Sequence, residues 1–105
     1  MTDTDRDLLE GAAKRAAPEV FGEPGCYFRR LENHCVTGWN SLDDDGDAWR
    51  LAVKLHFTVA VRPHEVEVFS DETGECLASI STEGEDPYAC ARRAITMAAA
   101  LGDAK

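Results

Sequence analysis

A chain of 105 residues, 44% of them hydrophobic, makes one small domain with limited room for a core. Its 20 Asp and Glu against 11 Lys and Arg give a net charge of −9, which repels nucleic acid and anionic membranes and so disfavours direct binding to either. A basic partner protein, or mimicry of nucleic acid toward one, stays open.

The opening "MTDTDRDLLE" is acidic and polar, without the basic start and apolar core of a secretory signal. No apolar run is long enough to span a bilayer. These features predict the cytoplasm, where Cys26, Cys35, Cys76 and Cys90 stay reduced. No Cys-x-x-Cys pair occurs, and buried thiols are the expected state.

The first predicted element is a helix over 4–17. Leu8, Leu9, Ala12, Ala13 and Ala16 recur at helical spacing, and Thr4 with Asp7 has capping-box spacing. Lys14 and Arg15 suit the negative end of the helix dipole, and Pro18 limits it. Residues 22–38, punctuated by Gly22, Pro24, Gly25 and Gly38, read as irregular, with "CYFRRL" as a short strand.

A second helix is predicted over 44–55, with Ala48, Leu51, Ala52 and Leu55 on one face and Trp49 widening it. Strands follow at 56–61, 65–70 and 75–81. In the first, Phe57, Val59 and Val61 share a face. In the second, Val66 and Val68 point inward while Glu65, Glu67 and Phe69 point outward. Asp71-Glu72-Thr73-Gly74 is a turn sequence. The last helix runs over 87–101, capped by Asp86 with Pro87 at its first position, and Gly102 stops it. Tyr88, Ala91, Ile95, Ala98 and Leu101 form its predicted inward stripe. This order predicts an α+β fold: a three-stranded antiparallel meander packed with about three helices, as an α/β/α layered sandwich.

Trp39-Asn40, the acidic "LDDDGDAWRLAVKL", three strands and "EDPYACARRAITMAAALG" together resemble small phage and prophage proteins of the phage ABA-sandwich domain type. The resemblance covers roughly residues 39 to 102. It departs at Ser41, where Pro commonly follows the Trp-Asn pair, and at Trp49, where a smaller residue is usual. What the resemblance implies is a phage accessory product of layered α/β/α fold, with no enzymatic role to carry over.

The acidic loop invites a calcium reading. With Gly46 at position 6 of an EF-hand loop, Ser41, Asp43 and Asp45 fall at positions 1, 3 and 5, but position 12 is Ala52, where a bidentate Glu is needed. A weak divalent-metal site is the most that survives. A capping Asp44 or Asp45, with Asp47 in the first turn, accounts for part of the acid as a helix start. The surplus is a candidate contact for an Arg-rich partner. Trp39 reads as core and Trp49 as partly exposed. His34, His56 and His64 with the cysteines lack the paired short spacings of a zinc site. No nucleophile elbow or phosphate loop is present, so no catalytic residue and no cofactor are expected.

From Pro63 to Ala91 there are eight Asp or Glu and no Lys or Arg. The main expectation is therefore a non-enzymatic, acidic, protein-binding accessory product acting on a host protein. An anti-defence role that blocks a basic surface is one form of it. The candidate contacts are Asp43, Asp44, Asp45, Asp47, Trp49, Glu65 and Glu67. The alternative is a nucleotide-sequestering oligomer in which Arg29, Arg30, Arg62, Arg92 and Arg93 converge.

Overall fold

A computed structural model describes residues 3–23, 26–31 and 35–101. Helix α1 spans Asp3–Ala16 and buries Leu8, Leu9, Ala12, Ala13 and Ala16, the stripe its spacing predicts. It begins one residue ahead of the expected cap, so Thr4 lies within its first turn and does not cap it.

The segment expected to be irregular, with a short strand at "CYFRRL", folds as a meander of its own with that strand at its centre. Strands β1 (Val20–Glu23), β2 (Cys26–Arg30) and β3 (Val36–Gly38) pair antiparallel in that order. Gly22 makes the β1–β2 approach possible. It lies at φ 124°, and a Cβ there would stand 2.4 Å from the Cys26 carbonyl oxygen. Val20, Tyr27 and Arg29 share the inner face, while Phe21, Phe28 and Arg30 share the outer one.

Asp44 caps α2 (Asp45–Lys54), its carboxylate accepting from the Asp47 N–H at 2.8 Å, and Leu55 closes the helix. The second meander is β4 (Phe57–Val61), β5 (Glu65–Ser70) and β6 (Cys76–Ser81). His56 is a left-handed turn residue at φ 57°, which is why β4 starts at Phe57. Helix α3 spans Pro87–Leu101, and the Asp86 carboxylate accepts from the Tyr88 N–H at 3.1 Å. Its stop at Gly102 lies outside the described residues.

Helices α2 and α3 cover the inner face of the β4–β6 sheet, against Val66, Val68 and Ala78. Helix α1 packs on α3 and on β1 instead of on this sheet. Among the described residues, no helix covers the sheet's outer face, which carries Glu65 and Glu67. The class is α+β, with one more sheet than the sequence predicts.

Sandwiched in this way, α3 buries a broader arc than one stripe: Cys90, Ala94, Ile95, Thr96, Ala98 and Ala99. Tyr88 and Leu101, expected inward, are exposed because they overhang the two ends of the core. The alanines allow the close approach expected of them. Gly11 of α1 lies so near α3 that a Cβ there would come within 2.9 Å of the Ala100 Cβ. Arg15 donates to the Ala99 carbonyl at 3.1 Å and Arg93 to Asp5 at 2.5 Å, fastening the same pair of helices.

Candidate functional site

The acidic loop is built from Asn40 outward. Its side-chain oxygen accepts from the N–H groups of Leu42 at 2.9 Å and Asp43 at 3.2 Å, forming a turn that carries the chain to the Asp44 cap. The Asn40 N–H donates to Asp47 at 2.9 Å. Asp47 also accepts from Arg50 at 2.5 Å and faces the Arg29 Nε at 3.3 Å. It is only 3% exposed. Asp47 is therefore not a contact residue, as its place in an exposed acidic run suggested. The loop folds back over it, and two arginines and a backbone N–H occupy its oxygens.

Asp45 pairs with Arg92 at 2.6 Å, and Arg92 also donates to the Leu42 carbonyl at 2.9 Å. Asp43 and Asp44 are exposed, and the Asp43 carboxylate accepts from the Asn40 amide at 3.3 Å. Ser41, the first ligand of the calcium reading, points into the core. It is fully buried and hydrogen-bonded to Thr96 at 2.8 Å, so its hydroxyl is out of reach of a cation at the surface. Among the described residues no cluster of His, Cys, Asp or Glu has the geometry to hold a metal ion.

The two tryptophans divide as the sequence predicts. Trp39 is 5% exposed and meets Tyr27 edge to face at 6.3 Å, while Trp49 is 63% exposed. Trp49 overlooks an apolar groove of about 300 Å³ between α2, β4 and α3, lined also by Ala48, Val59, Val61, Tyr88 and Ile95. Tyr88 and Val61 are as open to solvent as Trp49. Sequence spacing places Tyr88, Ala91 and Ile95 on one face, and all three do line this groove. The spacing could not tell that Tyr88 lies past the edge of the core. Asp45 and Arg92 complete the lining.

Glu65 and Glu67 stand elsewhere. Both are half-buried on the outer face of the β4–β6 sheet, where Glu67 pairs with Arg62 at 2.7 Å and Glu65 accepts from Ser79 at 3.4 Å. The seven expected contacts thus fall on different surfaces. Asp43, Asp44, Asp45 and Trp49 lie around the loop and α2, Asp47 lies inside, and the two glutamates lie on the far face of the sheet.

The five arginines of the nucleotide reading do not converge. Arg29 faces Asp47, Arg62 Glu67, Arg92 Asp45 and Arg93 Asp5. Arg30 lies over the Phe21 ring at 5.2 Å on the outer face of the first sheet. Each has been captured by an acid or a ring in its own neighbourhood. The cysteines also depart from expectation: Cys26, Cys35 and Cys76 are exposed, and Cys90 is buried. His34 of the zinc reading lies outside the described residues.

No helix among the described residues is long and apolar enough to cross a membrane. Comparison with known protein families, curated proteins and solved structures finds no match to this chain.

Proposed function

We propose that this is a non-enzymatic binding protein, a phage or prophage accessory product of the kind its motifs resemble, acting on a host protein in the bacterial cytoplasm. One observation carries it: Trp49 and Tyr88 stand exposed on the two helices that wall an apolar groove. Exposed aromatic side chains beside a shaped apolar pocket are the usual anchors of a protein interface. The acids near the groove and the net charge select the partner's chemistry. It is a segment with an apolar anchor side chain flanked by Arg or Lys. Covering a basic surface of a defence protein is the form this activity would take in an infected cell.

The test is capture from a host lysate on immobilised wild-type protein and on the Trp49→Ala and Tyr88→Ala variants, each at low and raised salt. A basic protein retained by the wild type, lost from both variants and weakened by salt supports the proposal. Retention that ignores the substitutions and the salt overturns it. So does sedimentation showing that the groove is filled by a second copy of the chain.

A further inference from the structure

A second cavity, of about 290 Å³, opens between α2 and the first sheet and shares no lining residue with the groove. Its apolar lining is Ala16, Val20, Trp39 and Leu51. Around this lining stand Arg29, Arg50 and Lys54. Arg30 lines it too, but its guanidinium lies over Phe21 on the outer face. In a chain with only 11 Lys and Arg against 20 Asp and Glu, three cationic side chains gather around this one cavity.

Three carboxylates, Asp47, Glu19 and Asp44, stand against these three cations, but they are unevenly placed. Asp47 is shared between Arg29 and Arg50, so one buried acid serves two guanidinium groups. The Arg29 Nε is buried and, among the described residues, has no hydrogen-bond partner of good geometry. Lys54 is held by Glu19 at 2.5 Å, but Glu19 is exposed and can swing into solvent. The hydrogen bond from Lys54 holds the Glu19 carboxyl below the usual carboxylate range, as an oxyanion beside this ammonium should be. Asp44 lies 3.7 Å from Arg50, but its Oδ2 is engaged in capping α2.

We infer that this cavity binds a small organic anion. Arg29, Arg50 and Lys54 hold its oxyanion, and an apolar ring or chain lies on Trp39 and Leu51. Guanidinium groups suit the planar or trigonal oxygens of carboxylate and phosphate, and the ligand displaces Glu19 from Lys54. The volume is at the lower end of ligand pockets, about 300 Å³, which fits a single ring with one anionic group. This site does not depend on the groove and stands or falls separately.

The test is titration of the full-length protein with phenyl phosphate, AMP, benzoate and inorganic phosphate, followed by calorimetry and by the NMR signal of the Trp39 indole N–H. Saturable binding of any of the three organic anions, tighter than inorganic phosphate and moving that signal, is the expected result. Lys54→Met should weaken it about tenfold, and Glu19→Gln should tighten it by removing the internal competitor. Tyr88→Ala, in the groove, should leave it unchanged. The inference is overturned if none of the organic anions saturates. It is also overturned if inorganic phosphate binds equally well, or if Lys54→Met binds as the wild type does.

Discussion

Ser41 and Thr96 meet hydroxyl to hydroxyl at 2.8 Å, both fully buried and 55 positions apart. Thr96 donates its own proton to the Arg92 carbonyl at 2.8 Å, which leaves Ser41 as the donor of the shared bond. The pair therefore pins the start of the acidic loop to the middle of α3. Its two members are not equivalent. Thr96→Val strands the Ser41 hydroxyl in the core and should cost about 1–3 kcal/mol, whereas Ser41→Ala should cost nearer ~1 kcal/mol. The double variant should cost less than the two single changes added together. Urea unfolding of the four proteins measures all three quantities.

The four clustered aspartates should separate in the same way. Asp47 is buried between two arginines and a backbone N–H, so Asp47→Ala should lose about 3 kcal/mol. Asp45 is two-thirds exposed in its pair with Arg92, and Asp45→Ala should lose less than about 1 kcal/mol. Equal losses in denaturant melts would remove the distinction between an internal acid and a surface one.

Gly11 offers a substitution whose sign runs against helix propensity. Alanine is favoured over glycine inside a helix by about 1 kcal/mol. Here its methyl would meet the Ala100 Cβ at 2.9 Å and the Ala100 Cα at 3.1 Å, atoms that move only if α3 moves. Gly11→Ala should therefore lower the melting temperature, with a net loss of about 1–2 kcal/mol from overpacking. A rise would show that α1 and α3 can part at no cost.

Tyr27 sets an alkaline limit. Burial raises its phenol above the ordinary value of 10.0, with the negative charge of Glu10 adding to the effect. Below that value both folded and unfolded chains keep the proton, and the contribution to stability is complete. As pH climbs past it, the unfolded chain ionises first and stability falls until the folded phenol ionises too. Above about pH 10 the urea midpoint should drop, and Tyr27→Phe should flatten that drop. Parallel curves for the two proteins would exclude Tyr27 as the cause.

The parts of the fold that announce themselves in sequence are those with local signals. Asp86-Pro87 defines the start of α3, and the alternation Val66, Val68 against Glu65, Glu67 defines β5, and both match residue for residue. The first sheet has no such signal. Its strands are three to five residues long, and β1 buries Val20 alone, so no alternation can be seen. The tryptophans divide as expected, Trp39 in the core and Trp49 exposed, although the helical pattern alone sets Trp49 beside the apolar face of α2. The capture of Asp47 by Arg29 was not legible, because that partner comes from a distant strand, β2, which "CYFRRL" suggests in the sequence without saying what it packs against. The same blindness concealed both cavities, since each is walled by elements far apart in the chain.

The seam between α1 and α3 joins the first helix described to the last. A polypeptide emerging amino-end first from a ribosome lacks the main partner of Leu9, Ala12 and Ala16 until α3 has been made. Until then β1 and α2 cover only part of that apolar strip, and closing the longest loop in the molecule is the step that completes the cover. The domain should thus complete its folding only once α3 has left the ribosome, and a truncation that removes α3 should yield a chain that chaperones bind.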